Sequence, residues 1–190
     1  MKIVITGGPG GGKTTALDLF QRELLGKVWI IPESASAIFA SGIKRDDDFN
    51  TLKAIQKTIY YHQKNVEEIH QLQHPDKVLL CDRGTLDGLA YWPNSQKTFF
   101  ESIKSDFQSE LNRYDAVIHF ETAAVDGQDI STNNPFRNES KEAAIELDNK
   151  LKEIWKVHPN FHVVESKGSF IDKIINGVKT IRMVVDQQIY

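Results

Sequence analysis

A glycine-rich block near the start of the chain, residues 7–14, restricts the fold and function more than any other feature of the sequence. It reads Gly-Gly-Pro-Gly-Gly-Gly-Lys-Thr and matches the pattern G-x-x-x-x-G-K-[ST] at each fixed position. Five of the chain's twelve glycines lie here, because backbone N–H groups must turn inward around a phosphate in conformations that side chains obstruct. The block therefore predicts a site for a nucleoside triphosphate with Mg²⁺.

The residues on either side of this block support that interpretation. Residues 3–6 form a short β-branched run that predicts a buried strand, and Leu17, Phe20 and Leu24 recur at helical spacing. The positive end of that helix faces the phosphates. We expect Lys13 to bind the outer phosphates from a solvent-facing position and the Thr14 hydroxyl to bind Mg²⁺. The predicted nucleotide-binding residues are Gly7, Gly8, Pro9, Gly10, Gly11, Gly12, Lys13, Thr14 and Thr15.

Strand and helix signals alternate along the whole chain. Strands are predicted at residues 3–6, 28–32, 78–81, 116–120 and 162–164. The interval 33–50 is predicted to be irregular, and a long helix follows with Leu52, Ile55, Ile59, Val66 and Ile69 on its apolar face. Ser169 and Asp172 form a capping box before a final helix. The pattern predicts an α/β fold around a mostly parallel sheet, with residues 1–190 as one domain.

Composition narrows the location and partners of the protein. The formal net charge is -3 and no basic stripe is evident, so binding to nucleic acid or to a membrane surface is not expected. The lone Cys81 lies in an apolar run and is expected in the core. No apolar stretch approaches the 18 residues of a membrane span, and the chain enters a strand at once, which leaves no signal peptide. We therefore expect a cytoplasmic location, and the oligomeric state stays open.

Asp82 is the candidate for the second magnesium ligand. It follows the apolar residues 78–81 directly, and P-loop proteins hold Mg²⁺ with a carboxylate at the end of a buried strand. Thr14 and Asp82 are thus the predicted metal ligands.

Several classes of P-loop protein lack support in this sequence. The base-reading Asn-Lys-x-Asp motif of regulatory GTPases is absent, since the nearest fragment, residues 148–151, reads Asp-Asn-Lys-Leu. The transporter signature Leu-Ser-Gly-Gly-Gln does not occur, and the chain is too short for the helical domain of hexameric ATPases. Small-molecule kinases remain, and ATP is favoured over GTP.

Four further segments carry a resemblance to a known family. They are residues 31–35 (Ile-Pro-Glu-Ser-Ala), 80–91 (which begins Leu-Cys-Asp-Arg-Gly-Thr-Leu-Asp), 134–137 (Asn-Pro-Phe-Arg) and 155–159 (Trp-x-x-His-Pro). With residues 3–15, they resemble the nicotinamide-riboside-kinase-like P-loop domain family, a group of AAA-type P-loop ATPases similar in fold to deoxynucleoside and thymidylate kinases. The resemblance implies a three-layer fold with a five-stranded parallel sheet in the order 2-3-1-4-5, helices on both faces and a lid at about residues 123–140.

The resemblance also implies roles for four side chains. Glu33 follows the second strand, where nucleoside kinases keep the carboxylate that accepts the proton of the attacking hydroxyl. Arg83 orients the acceptor or a phosphate with its planar guanidinium group, and Asp87 lines the acceptor pocket. Arg137 lies in the lid segment and closes over the phosphates. Lys141 is the only other basic residue near it in the sequence. Because basic residues are so few in this segment, slow hydrolysis or simple nucleotide binding stays an alternative to phosphoryl transfer.

Two functions follow as alternatives. The first is a kinase that transfers the γ-phosphoryl group of ATP to the hydroxyl group of a nucleoside or similar small acceptor. The second is a nucleotide-binding switch or scaffold that hydrolyses the nucleotide slowly. A kinase requires a closed acceptor pocket within residues 34–75 with Glu33 pointing in, whereas a switch requires an exposed apolar surface there. The six histidines show no metal-ligand pattern and are expected at the surface or at helix ends, and the three tryptophans in the core or at a pocket edge.

Overall fold

A five-stranded parallel sheet forms the centre of the protein. The computed structural model describes residues 1–24, 26–46, 48–126 and 140–189. The strands are β1 (Lys2–Thr6), β2 (Val28–Ile31), β3 (Val78–Asp82), β4 (Ala116–Phe120) and β5 (Phe161–Val164). They lie in the order β2-β3-β1-β4-β5 and every pairing is parallel. The predicted fold class and strand order are confirmed.

Seven α-helices occur in the described residues. They are α1 (Lys13–Glu23), α2 (Ser34–Ala40), α3 (Phe49–Gln73), α4 (Gln96–Ile103), α5 (Phe107–Leu111), α6 (Lys141–Trp155) and α7 (Phe170–Ile189). Short 3₁₀ helices span Thr85–Tyr91 and Ala123–Asp126. The prediction of an irregular interval at 33–50 was wrong for α2, where three alanines favour the helix. The predicted capping box of α7 is confirmed, since Ser169 and Asp172 exchange hydrogen bonds.

Helices cover both faces of the sheet and make three layers. Ile3 and Ile5 of β1 pack with α1 and α7 on one face, whereas Val4 packs with Trp155 of α6 on the other. Strands that are covered on both faces become continuous apolar runs, and β3 and β4 are buried throughout. Cys81 lies in this core as expected. Among the described helices, none has the length and hydropathy that a membrane span requires.

Candidate functional site

The glycine-rich block of residues 7–14, here called the phosphate loop, connects the end of β1 to α1. Gly7 and Gly12 have φ angles of 124° and 84°, which residues with a side chain rarely adopt. Space is also missing: a Cβ atom on Gly7 would lie 2.0 Å from the carbonyl oxygen of Phe120, and one on Gly12 would lie 2.6 Å from Cδ1 of Ile174. The loop therefore requires glycine at both positions.

Lys13 differs from its predicted position. Its side chain is buried, with 4% of the residue exposed, and Nζ donates to the carbonyl oxygens of Gly7 at 3.0 Å and Gly8 at 2.8 Å. The prediction of a solvent-facing lysine was wrong, because the loop carbonyls satisfy the ammonium group within the fold. Lys13 is nevertheless placed at the phosphate loop, as the sequence predicts.

Thr14 and Asp82 lie together, as a shared magnesium site requires. The Oγ1 atom of Thr14, in the first turn of α1, donates to Oδ2 of Asp82 at 3.1 Å. Asp82 ends β3 and pairs in register with Ile5 of β1, so the sheet brings its carboxylate to the loop. Hydroxyl and carboxylate oxygens are hard ligands of the kind that Mg²⁺ prefers. The oxygen atoms of Thr14 and Asp82 therefore fit this ion. Thr15, the last of the predicted nucleotide-binding residues, is exposed next to Thr14 on α1.

The surroundings of Asp82 favour a cation at this point. Burial raises the pKa of the Asp82 carboxyl, and the neighbouring Glu33 carboxylate raises it further, against the lowering effect of Lys13 and Arg83. Lys13 and Arg83 therefore compensate only part of the cost of burying this carboxylate beside Glu33. A divalent cation supplies further positive charge and favours the ionised form.

Arg83 joins three parts of the site. Its Nη1 atom donates to the carbonyl oxygen of Gly7 at 2.6 Å and to Oδ2 of Asp87 at 3.2 Å, and Nε lies 3.3 Å from Oε1 of Glu33. Its own backbone has a φ of 81°, a costly conformation for a residue with a side chain. Such strain persists where the surrounding structure enforces it and is common at functional sites.

Glu33 stands between β2 and α2 and directs its carboxylate toward Arg83. Oε1 contacts the guanidinium group, and Oε2 accepts from the Ser36 hydroxyl at 2.5 Å. The side chain keeps 23% of its surface exposed and borders a pocket. The structure therefore brings Glu33 and Arg83, two of the predicted site residues, into contact at the edge of this pocket.

Asp87 lines the same pocket, but its carboxylate oxygens are hydrogen-bonded to other groups of the protein. They accept from the Thr6 hydroxyl at 3.0 and 2.9 Å, from Nε1 of Trp155 at 2.7 Å and from Arg83. The carboxylate is buried, and these bonds hold the guanidinium group in place. Asp87 is therefore placed to orient the side chain of Arg83.

The pocket bordered by Glu33 lies between α2, α3 and the 3₁₀ helix after β3. Its volume is about 650 Å³ when its open mouth is included. Glu33, Arg83 and Asp87 line one side, and Phe39, Ile59 and Tyr91 supply apolar surface. A pocket with an apolar wall and a few convergent polar groups is typical of a small-molecule site.

Helix α3 turns a polar face toward this pocket, which the sequence pattern did not reveal. Gln56, Tyr60, Gln63 and Glu67 are buried at helical spacing, whereas Ile69, which was predicted to lie on the packed face, is 50% exposed. The apolar period therefore identified the wrong face at the end of the helix. The repeat of polar residues at 56, 60, 63 and 67 was the available signal.

These polar residues join the two ends of the site. Gln63 accepts from the Ser34 hydroxyl at 2.6 Å and donates to the carbonyl oxygen of Arg83 at 3.2 Å and to Glu67 at 2.9 Å. Glu67 is fully buried and also accepts from the Tyr114 hydroxyl at 2.7 Å. A satisfied buried network of this kind rigidifies its surroundings. Here it fixes the segments that carry Glu33 and Arg83.

Other predictions have mixed outcomes. Trp155 and Trp92 are buried as expected, but His119 and His158 are also buried, so the prediction of surface or helix-end histidines was wrong for these two. His158 is accommodated because Nε2 bonds to the carbonyl oxygen of Tyr114 at 2.9 Å. Arg137 and most of the predicted lid, from 127 to 139, lie outside the described residues.

The fold and the phosphate loop together define a P-loop nucleotide-binding protein. The sequence model of the AAA domain matches residues 2–173, and the chain therefore belongs to that family. No significant match was found among curated protein sequences.

Solved structures show the same fold. Deoxyadenosine kinase from M. mycoides with bound dATP has a TM-score of 0.56 and 18% identity, and the alignment covers 98% of this chain and 100% of that one. The same enzyme with the products dCMP and a flexible dCDP bound has a TM-score of 0.61 and 17% identity over 96% and 100% of the two chains.

Proposed function

We propose that the protein is a kinase that uses Mg²⁺ and transfers the γ-phosphoryl group of ATP to a hydroxyl group of a nucleoside or a similar small molecule. The observation that carries this proposal is the contact of Arg83 with both Gly7 and Glu33. This contact supports the proposal because it brings Glu33, the candidate base at the edge of the pocket, close to the phosphate loop. Phosphoryl transfer depends on such positioning of donor and acceptor.

Each residue then has a role in the reaction. The phosphate loop and Lys13 bind the triphosphate, and Thr14 and Asp82 would hold Mg²⁺, which would supply positive charge to the phosphate oxygens. Glu33 accepts the proton of the acceptor hydroxyl, and the hydroxyl oxygen forms a bond to the γ-phosphorus while the bond to the ADP oxygen breaks. Arg83, which lines the pocket, orients the acceptor. The closing role of Arg137 stays a prediction from the sequence.

The pocket favours the kinase over the switch. A switch requires an apolar surface in residues 34–75 that is free to bind a partner, whereas this region surrounds a pocket with Glu33 on its edge. The same region also has exposed apolar side chains of the kind that the switch alternative requires, namely Ile43, Phe49, Tyr61, Ile69 and Leu72, so the product screen decides between the two functions. A nucleoside-like acceptor is supported by the structural similarity to deoxyadenosine kinase, and nicotinamide riboside is a candidate from the sequence resemblance.

The direct test is a product screen. The protein is incubated with MgATP and each of a panel of ribonucleosides, deoxynucleosides, nicotinamide riboside and related vitamins, and phosphorylated products are measured by mass spectrometry. The proposal predicts at least one acceptor that forms product at a rate above ATP hydrolysis alone. ATP binding with slow hydrolysis and no product from any acceptor would support the switch and contradict the kinase.

A further inference from the structure

A carboxylate from helix α6 is hydrogen-bonded to the backbone of the phosphate loop. Oδ1 of Asp148 accepts from the N–H of Gly8 at a distance of 2.5 Å. Asp148 is 3% exposed, so little solvent competes for this bond. The two residues are 140 positions apart in the chain, and the fold alone brings them together.

The surroundings of Asp148 keep its side chain ionised. Burial opposes ionisation, but the His119 ring and the N–H groups of Gly8 and Thr122 outweigh it, and the pKa of Asp148 is lowered. Nε2 of His119 lies 3.2 Å from Oδ1. A hydrogen bond from an N–H to a carboxylate is stronger than one to a neutral acceptor.

Asp148 and Thr122 enclose the first part of the phosphate loop. A Cβ atom on Gly8 would lie 2.9 Å from both Cβ and Oδ1 of Asp148, so only glycine allows the approach. The Thr122 hydroxyl donates to the carbonyl oxygen of Pro9 at 2.6 Å. Gly8 and Pro9 are thus held between α6 and the segment that follows β4.

Helix α6 also contacts the Arg83 side of the site, through a residue seven positions after Asp148. Trp155 donates to Asp87 at 2.7 Å, and Asp87 in turn holds Arg83. Two side chains on one face of α6 therefore contact the phosphate loop directly and the Arg83 segment through Asp87.

We propose that Asp148 is a positioning residue for nucleotide binding. Its carboxylate fixes the N–H of Gly8 and with it the path of the loop, so that the following N–H groups stay turned inward before the phosphates arrive. A preformed loop loses less conformational entropy on binding and therefore binds more tightly. This inference rests on the nucleotide-binding part of the proposed function and not on the identity of the acceptor.

The experiment compares four proteins by calorimetry with MgADP. Asp148→Ala removes the acceptor and is expected to raise Kd by about tenfold, the usual effect of one charged hydrogen bond. Asp148→Asn keeps an oxygen at the same place and is expected to bind within about threefold of wild type. Leu151→Ala shortens another buried side chain of α6 and leaves Asp148 in place, and it is expected to keep wild-type affinity.

Each outcome decides a different point. Wild-type affinity in a folded Asp148→Ala protein would overturn the inference and leave the proposed function intact. Equal weakening by Leu151→Ala would also overturn it, because general loosening of α6 would then suffice. If the wild type itself does not bind MgADP, the proposed function fails and this inference fails with it.

A second measurement covers the case in which the alanine variant does not fold. The amide proton resonance of Gly8 reports its hydrogen bond directly in a ¹⁵N-labelled protein. In Asp148→Asn it is expected to move upfield, because a neutral amide oxygen is a weaker acceptor than a carboxylate. An unchanged Gly8 resonance would show that the bond is not formed in solution and would overturn the inference.

Discussion

The guanidinium group of Arg83 donates to the carbonyl oxygen of Gly7 across 2.6 Å. The residue that follows the candidate metal ligand Asp82 is thereby bonded to the first residue of the phosphate loop. The same side chain lies 3.3 Å from Glu33. One arginine therefore sets the spacing between the nucleotide site and the edge of the acceptor pocket.

The buried position of Lys13 changes what its removal should do. Lys13→Ala is expected to lower the affinity for MgATP by at least about 10²-fold, because a charged contact with the phosphates is lost. It is also expected to lower the melting temperature, since Gly7 and Gly8 lose their bonds to Nζ. Calorimetry and thermal unfolding measure the two effects, with the exposed Lys27→Ala as the control. Wild-type ATP affinity in the mutant would remove Lys13 from the site.

Asp82→Asn tests the magnesium site. The amide keeps the shape of the side chain and its contact with Thr14 but removes the negative charge that a divalent cation requires. ATP affinity should therefore fall strongly with Mg²⁺ present and change little in EDTA. Titration of ATP under both conditions checks this. An unaltered Mg²⁺ dependence would assign the metal to another carboxylate.

Gln63→Leu tests the buried network behind the pocket. The leucine leaves the Ser34 hydroxyl, the Arg83 carbonyl and one Glu67 oxygen without their bonds to Gln63. Ser34 and Glu67 keep their bonds to His62 and Tyr114, but the Arg83 carbonyl loses its bond. A buried polar group left unpaired costs about 1–3 kcal/mol, so the free energy of unfolding should fall by at least about 1 kcal/mol. Urea denaturation measures it. The matched control is Asn65→Leu on the exposed side of the same helix, and equal effects of the two changes would contradict the network's role.

Much of the fold could be predicted from the sequence, since buried parallel strands leave a local signal. Each strand is a short apolar run that ends near a turn residue, and the loop glycines and Asp82 mark the edge of the sheet where parallel strands place ligand sites. The pairing of Thr14 with Asp82 follows from that rule. Arg83 and Glu33 required the family resemblance, because neither position carries a local physical signature.

The remaining features depend on contacts between distant residues. The burial of Lys13 and His119, and the bond between Asp148 and Gly8, arise only when the helices pack on the sheet. The polar face of α3 was missed because apolar periodicity assumes that a buried face is apolar. Gln63 and Glu67 are buried because each finds partners there.

Glu121 predicts how stability depends on pH. Burial raises its pKa, but the bonds from Lys152 and the Ser166 N–H outweigh this and lower it below the usual 4.5. A carboxyl with a lowered pKa in the folded state stabilises the protein above that usual value, and this contribution is lost as the pH falls through the lowered pKa. Glu121→Gln should therefore be less stable than wild type at pH 6, and the difference should shrink toward pH 3.

Thermal unfolding from pH 6 to 3 measures this difference. The control is Glu146→Gln. Lys150 also lowers the pKa of Glu146, but this pair is exposed on the outer side of α6 and is screened by solvent. Exposed pairs contribute little to stability, so the control should follow wild type across the range. A constant difference between Glu121→Gln and wild type at all pH values would contradict the assignment.

The central claim is that Glu33 accepts a proton during phosphoryl transfer, and the rate of Glu33→Gln tests it most directly. Glutamine keeps the size of the side chain but does not take up the proton. With the acceptor that the product screen identifies, the transfer rate should fall by about 10²–10⁴, the usual contribution of a positioned base, while calorimetry gives unchanged MgATP affinity. A transfer rate equal to that of the wild type would contradict the account.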